Sequence, residues 1–513
     1  MRYAPVCAAI VLLAAVLAGC TAGPSARPAI IGAPGPAPAP AGSGDPAKRP
    51  VPPLDRSNQD QLAWQPCPAD VRRNLAESNA PLGNAQCSTI APRLGEDTVP
   101  SMMNAKISLL KAGTGAVPLL VLDDVDGEPG TVYAAKLAAT LPPEMLRTFT
   151  LIGMDRRGTG DSDGLGCIPQ PDRAAILGYD PAEDKLDDLI TAERDAVQQC
   201  QVDMENTLQS FDTYNTVRDI EVLRDKLGVA HLSGIGRGEG ARLLAQYATR
   251  YPGHAGRMVF DGFPDPNAEI QDRYRTRADT AEQTFDAFTD SCREDGCPLG
   301  ADPRAALTAL LGSLRAKPLS SAGISIGPGM AVNAVLTGLA DKQRWPELAK
   351  AIASARGGNG DGLAAFVRPL MQGNEDTGSR LDARMVTGCN DDEARLPPQQ
   401  VSASVKEWRA KDPLFGATFG HRLLLCLPWP PSSKAVGKPS DKLPPSLMLS
   451  TAHDPVTPQE GTQRVAQQIP AVVRVGWQGA GHGALGNSEC ATGKASNYLV
   501  HAKLPSSSTA CPA

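Results

Sequence analysis

Basic charge is not in excess in this sequence: 50 lysines and arginines stand against 56 aspartates and glutamates, a formal net charge of −6. A nucleic-acid-binding domain is expected to carry a basic face, so nucleic acid is set aside as a partner. The apolar run at residues 4–18 falls short of the roughly 20 residues that a bilayer-spanning helix needs. No C-x-x-C pair and no histidine-rich spacing is present, which leaves a zinc site without support, and neither a metal nor a cofactor is expected. No internal repeat occurs at solenoid periods, so a repeat architecture is not expected either.

What stands at the N-terminus is a charged start (Arg2), the apolar run and the tetrapeptide Leu17-Ala18-Gly19-Cys20. This order reads as a secretory signal, with small residues at its end for cleavage. Leu-Ala-Gly-Cys resembles the lipobox of bacterial lipoproteins, which implies cleavage before Cys20 and diacylation of its thiol. Two acyl chains anchor stably where one holds only reversibly. Residues 21–55 are dominated by proline, alanine and glycine and read as an extended tether, reaching on the order of 100 Å if fully polyproline II. The expected location is therefore the outer face of the cell membrane, with the lipid as the only membrane contact.

Cys7 leaves with the signal, and ten cysteines remain besides Cys20. An even number in an exported chain argues for disulfides. Their spacing invites pairing of neighbours: Cys67 with Cys87, Cys167 with Cys200, Cys292 with Cys297, Cys389 with Cys426, and Cys490 with Cys511.

Beyond the tether, apolar runs at 117–122 and 148–154 read as buried strands flanking a helix at 131–141. A helix at 217–227, a strand at 228–233, a tight turn, a helix at 241–250 and a strand at 257–260 follow. Strands alternating with helices predict a parallel sheet covered on both faces. From Glu269 to about Lys442 the pattern is mainly helical, and strands resume at 447–450 and 472–475. The division expected is a core in two parts, 56–266 and 443–513, interrupted by a helical lid at 267–442.

The tight turn is Gly236-Arg237-Gly238-Glu239-Gly240. It has the frame of a G-x-S-x-G nucleophile elbow, with glycine where the serine should stand. Downstream come His453-Asp454-Pro455-Val456-Thr457-Pro458 and Gly479-Ala480-Gly481-His482-Gly483, and upstream Asp155-Arg156-Arg157-Gly158-Thr159-Gly160. In this order the pieces resemble the α/β-hydrolase fold, and more narrowly the secreted tripeptidyl-aminopeptidase-like serine exopeptidases of actinobacteria. The resemblance spans roughly residues 60 to 513. It implies that Asp454 is the acid, His482 the base and Gly238 the vacant nucleophile position; a frame shifted by two places Gly236 there, and neither supplies a hydroxyl.

The resemblance also implies an oxyanion region at Asp124, Val125 and Glu239. Where those peptidases carry a Gly-Gly-Pro-Gly type loop, this chain has Asp123-Asp124-Val125-Asp126-Gly127-Glu128-Pro129-Gly130. Carboxylates there oppose the stabilisation of developing negative charge. The expectation is a chain impaired or inactive as a serine hydrolase, retaining a peptide or acyl ligand beneath the lid. The alternative is an active hydrolase that uses another nucleophile, Ser233 or Ser162, or a water activated by His482. Asp123, Asp124, Asp126 and Glu128 are expected to form a solvated acidic loop, with calcium binding as a lesser reading because the remaining loop positions are missing.

Overall fold

The computed structural model describes residues 50–57, 59–95, 103–294, 296–372, 378–431, 434, 436–440 and 442–513. The signal, Cys20 and most of the tether lie outside the described residues.

In chain order the strands are β1 (Gln65–Pro66), β2 (Gln86–Ile90), β3 (Ile107–Gly113), β4 (Val117–Leu122), β5 (Phe149–Met154), β6 (Leu232–Arg237) and β7 (Ala255–Asp261). They continue with β8 (Leu319–Ser321), β9 (Ile324–Ile326), β10 (Ser446–His453), β11 (Val472–Ala480) and β12 (Thr509–Cys511). All but β8 and β9 form one sheet in the order β1-β2-β3-β5-β4-β6-β7-β10-β11-β12. The β1, β2, β3 and β5 pairings are antiparallel, and every pairing from β5 onward is parallel. Every residue of β4 is buried, as a parallel strand covered on both faces requires.

The elbow strand lies further along the chain than its sequence suggests. Gly228, φ 66°, is the left-handed cap of the helix Thr213–Leu227, and β6 begins only at Leu232. Glycine has weak strand preference, so Gly234 and Gly236 hide the strand in the sequence. Their smallness is what the packing uses: a Cβ on Gly236 would lie 2.4 Å from the carbonyl oxygen of Gly240, so strand and following helix approach only without one.

Arg157 is buried in the turn after β5. Its Nε and Nη2 donate to the two oxygens of Asp219 at 2.8 and 2.6 Å, and its Nη1 donates to the carbonyls of Leu94 and Ser210. A buried guanidinium is tolerable because its charge and donors are matched.

Between β7 and β10 the described chain is helical apart from the β8–β9 hairpin, with helices including Ile270–Glu294, Pro328–Leu339, Arg380–Asp391 and Pro398–Lys411. Its aromatic residues Phe285, Phe288, Trp345 and Phe415 pack ring to ring. They share one buried cluster with Phe260 and Phe263 at the end of the sheet, which seats these helices over the elbow end of the strands.

Five disulfides join Cys67 to Cys87, Cys167 to Cys200, Cys292 to Cys297, Cys389 to Cys426 and Cys490 to Cys511. The neighbour pairing expected from the spacing is the pairing found.

Candidate functional site

Gly238 sits between β6 and the helix Glu239–Arg250 with φ 56° and ψ −123°. This is the strained turn an elbow nucleophile adopts, relaxed here by the absence of a Cβ. The space a side chain would take is occupied: a Cβ on Gly238 would lie 2.1 Å from Asp124 Oδ1 and 2.5 Å from its Oδ2.

Asp124 reaches that place from the end of β4. Its Oδ1 accepts the backbone N–H of Glu239 at 2.6 Å, and its Oδ2 lies 2.6 Å from His482 Nε2. That amide is thus already bonded to a carboxylate. His482 follows β11, and its Nδ1 lies 3.0 Å from each oxygen of Asp454, which follows β10. Asp454 is fixed in turn by the amides of Val456, Thr457 and Gly483 and by the Thr457 hydroxyl. Asp261 holds the histidine loop from below, accepting the amides of Ala484 and Leu485.

An imidazole between two carboxylates holds its second proton. Burial alone pulls His482 down, but Asp454 and Asp124 outweigh it and push it up to about 10. Burial raises Asp454, yet His482 and the Thr457 donors hold it below the usual carboxylate range. For Asp124, burial is the larger influence and pushes it up, opposed by His482. At neutral pH His482 is therefore a cation donating from both nitrogens, with no lone pair free to accept a proton.

The neighbouring carboxylates do not form a solvated loop. Asp123 is buried and accepts both Nε and Nη2 of Arg237, at 2.8 and 2.7 Å, while Arg237 lies over the ring of Tyr133 at 4.1 Å. Asp126 pairs with Arg384, and Glu128 with Lys136. Asp123 and Asp124 are buried against their cations, which corrects the expectation of a solvated acidic loop for these two, while Asp126 and Glu128 are paired but partly exposed. Ligand atoms of Asp123, Asp124 and His482 lie within 4.8 Å of one another, but Arg237, Glu239 and Asp454 already engage them.

The serines weighed as substitutes are committed elsewhere. Ser233 Oγ accepts the amide of Arg257, and Ser162 Oγ accepts the amide of Ser108 and donates to the Asp155 carbonyl. Among the described residues, the hydroxyl within hydrogen-bond reach of the imidazole is that of Thr457, 3.4 Å from Nδ1 on the acid's side and donating to Asp454. Arg237, Thr457 and Asp261 were not singled out from the sequence. Arg237 had a signal, since a lone cation inside the elbow faces the Asp123-Asp124 pair. Asp261 had none.

Two cavities meet at this point. One of about 1160 Å³ is bounded by His482, Arg237 and Tyr133 on the core side and by Phe366 and Phe419 from the helices above. A smaller one of about 170 Å³ is bounded by Glu239, Phe263 and Val456. Asp124, Val125 and Asp126 line both.

The parallel strand order, the elbow after β6, the acid after β10 and the histidine after β11 together make this chain an α/β-hydrolase in fold. Within that class, residues 412–511 match the family model described as TAP-like protein. The chain is 25% identical over 482 residues to the serine protease Hip1 of Mycobacterium tuberculosis, covering 88% of this chain and 91% of that one. It is 25% identical over 478 residues to carboxylesterase B of the same organism, covering 88% and 90% of the two chains. Tripeptidyl aminopeptidase of Streptomyces lividans is 24% identical over 394 residues, 71% of each chain.

Proposed function

We propose that this chain is a lipid-anchored, exported relative of the tripeptidyl-aminopeptidase-like peptidases in which serine-hydrolase chemistry is lost and ligand binding is kept. The carrying observation is Asp124: its carboxylate fills the nucleophile's space, takes the Glu239 amide and locks His482 as a cation. Loss of the serine from a triad costs about a factor of a million in turnover, or roughly 8–9 kcal/mol of barrier. Here the oxyanion amide and the base are spent as well. The segment 267–442 acts as a lid, and the cavity beneath it takes a peptide or acyl ligand.

Two experiments test this. Incubation with a fluorophosphonate is expected to leave the full chain unmodified; a specific serine adduct overturns the inactive assignment. Cys20→Ala is expected to move the protein from the detergent phase to the aqueous phase, and an unchanged partition removes the lipid anchor from the reading.

One observation favours a second reading. Asp124 Oδ2 lies where an attacking group would stand, so its carboxylate is a substitute nucleophile for an alkyl carbon: an O–C bond forms to give an ester as the C–X bond breaks and X leaves with its electron pair as an anion. Water labelled with ¹⁸O, followed by mass analysis of the Asp124 peptide after turnover, separates this from binding alone.

A further inference from the structure

Around the larger cavity, cations and carboxylates are mostly matched one to one. Arg237 meets Asp123, Lys136 meets Glu128, and Arg344 meets Glu347. The match fails where the loop after β4 meets the helices above it; Arg380, which also lines this cavity, has no ion pair among the described residues. Three guanidiniums, from Arg277, Arg384 and Arg422, gather there about the single carboxylate of Asp126, and all four residues line both cavities. Arg384 takes the carboxylate. Arg422 donates to the Asn333 side-chain oxygen at 2.8 Å and lies over the Phe419 ring at 4.8 Å. Arg277 has no ion pair among the described residues; it lies 5.8 Å from the Tyr274 ring, and its Nε is closed from solvent without a hydrogen-bond partner.

We propose that Arg277, Arg384 and Arg422 form a subsite for a dianionic oxyanion of the phosphate-monoester class, carried by the ligand that enters this cavity. Three guanidiniums about one carboxylate leave positive charge in excess, which is answered less well by a monoanion than by a dianionic monoester. Such a group also presents three terminal oxygens, one for each planar fork, whereas a carboxylate offers only two. The stacking of Arg422 on Phe419 and its bond to Asn333 hold one fork in place before any anion arrives. The crowding is felt by the cations: burial, Arg384 and Arg277 together push Arg422 down to about 9. A bound dianion relieves that repulsion.

The inference rests on the ligand-binding half of the reading above, not on the loss of the nucleophile. Titration of the full chain with inorganic phosphate at low ionic strength is expected to give saturable heat, and sodium acetate is expected to give none. Arg277→Met, which breaks no hydrogen bond, is expected to weaken phosphate binding tenfold or more, and Arg422→Met likewise. Arg356→Met, at an exposed position, is expected to leave it unchanged. Glycerol 1-phosphate and vesicles containing phosphatidic acid identify the carrier: displacement of phosphate by the first assigns a soluble monoester, and Arg277-dependent vesicle binding assigns a lipid headgroup. Absence of saturable phosphate binding, or binding equal in the parent, Arg277→Met and Arg422→Met proteins, overturns the subsite. Fluorophosphonate labelling of a serine would overturn the inactive assignment and leave this result standing.

Discussion

Oδ2 of Asp124 lies 2.6 Å from Nε2 of His482, and Oδ1 of the same carboxylate lies 2.6 Å from the amide of Glu239. One side chain from the end of β4 thus engages both the imidazole and the first amide of the helix Glu239–Arg250. A Cβ at position 238 would lie 2.1 Å from that Oδ1, so the carboxylate can sit there only because Gly238 carries no side chain.

Restoring the serine alone is therefore expected to fail. In Gly238→Ser the new Cβ meets Asp124 Oδ1 at 2.1 Å, so the acid must be displaced, at a cost of about 1–3 kcal/mol of stability. Assayed on aminoacyl and short-peptide chromogenic substrates, the parent and the single variant should stay near background. The double variant Gly238→Ser with Asp124→Gly clears the space and frees the amide, and should exceed the parent by about 100-fold or more, a fraction of the million-fold worth of a triad serine. Robust turnover by the unaltered chain would falsify the account.

The charge on His482 sets a pH dependence. Its folded-state value, about 10, stands above the ordinary 6.5, so the stabilisation it brings is complete below about pH 6.5 and drains away as pH rises through about 10. Asp124→Asn removes one of the two carboxylates and should bring the histidine down, as followed by NMR of its ring. The stability advantage of the parent over this variant in urea should shrink between those two pH values. An advantage that is flat across the window would contradict a doubly protonated imidazole.

Arg157→Met strands the Asp219 carboxylate in the interior. The expected loss is about 3–5 kcal/mol by chemical unfolding. Arg157→Met combined with Asp219→Leu should recover part of it, because no charge is left unpaired although the carbonyls of Leu94 and Ser210 still lose their donor. If the double variant is no better than the single one, the cost lies in shape and not in charge.

Cys490 and Cys511, 21 positions apart, fasten β12 to the helix Glu489–His501. Replacing both by serine should cost about 3 kcal/mol. Amide hydrogen exchange should then quicken in β12 before it does in β11; equal exchange along both strands would show that the edge is held by other contacts.

How much of this was open to sequence reading depends on the range of the forces involved. The strand Val117–Leu122, the alternation of strand and helix and the glycine elbow are written in local patterns, because burial on both faces and close helix approach each demand particular residues in sequence. That Asp454 and His482 come together is legible in their motifs and their order. The start of β6 was misplaced, since its glycines read as turn and the cap at Gly228 read as strand. The fate of the acidic loop was not legible: whether Asp123 and Asp124 face water depends on Arg237 and His482, which lie 114 and 358 residues away along the chain. Arg277, Arg384 and Arg422 meet only after three separate segments have packed.

Each cystine unites a cysteine with the next one along the chain, never skipping over a third. Whenever such a polypeptide becomes accessible from its N-terminus onward, each of these ten thiols meets its proper mate before the following couple does. Oxidation that keeps pace with emergence yields the native set directly, with no shuffling to undo. Refolding from the fully reduced, complete polypeptide forfeits that ordering, and should be the slower and less faithful route.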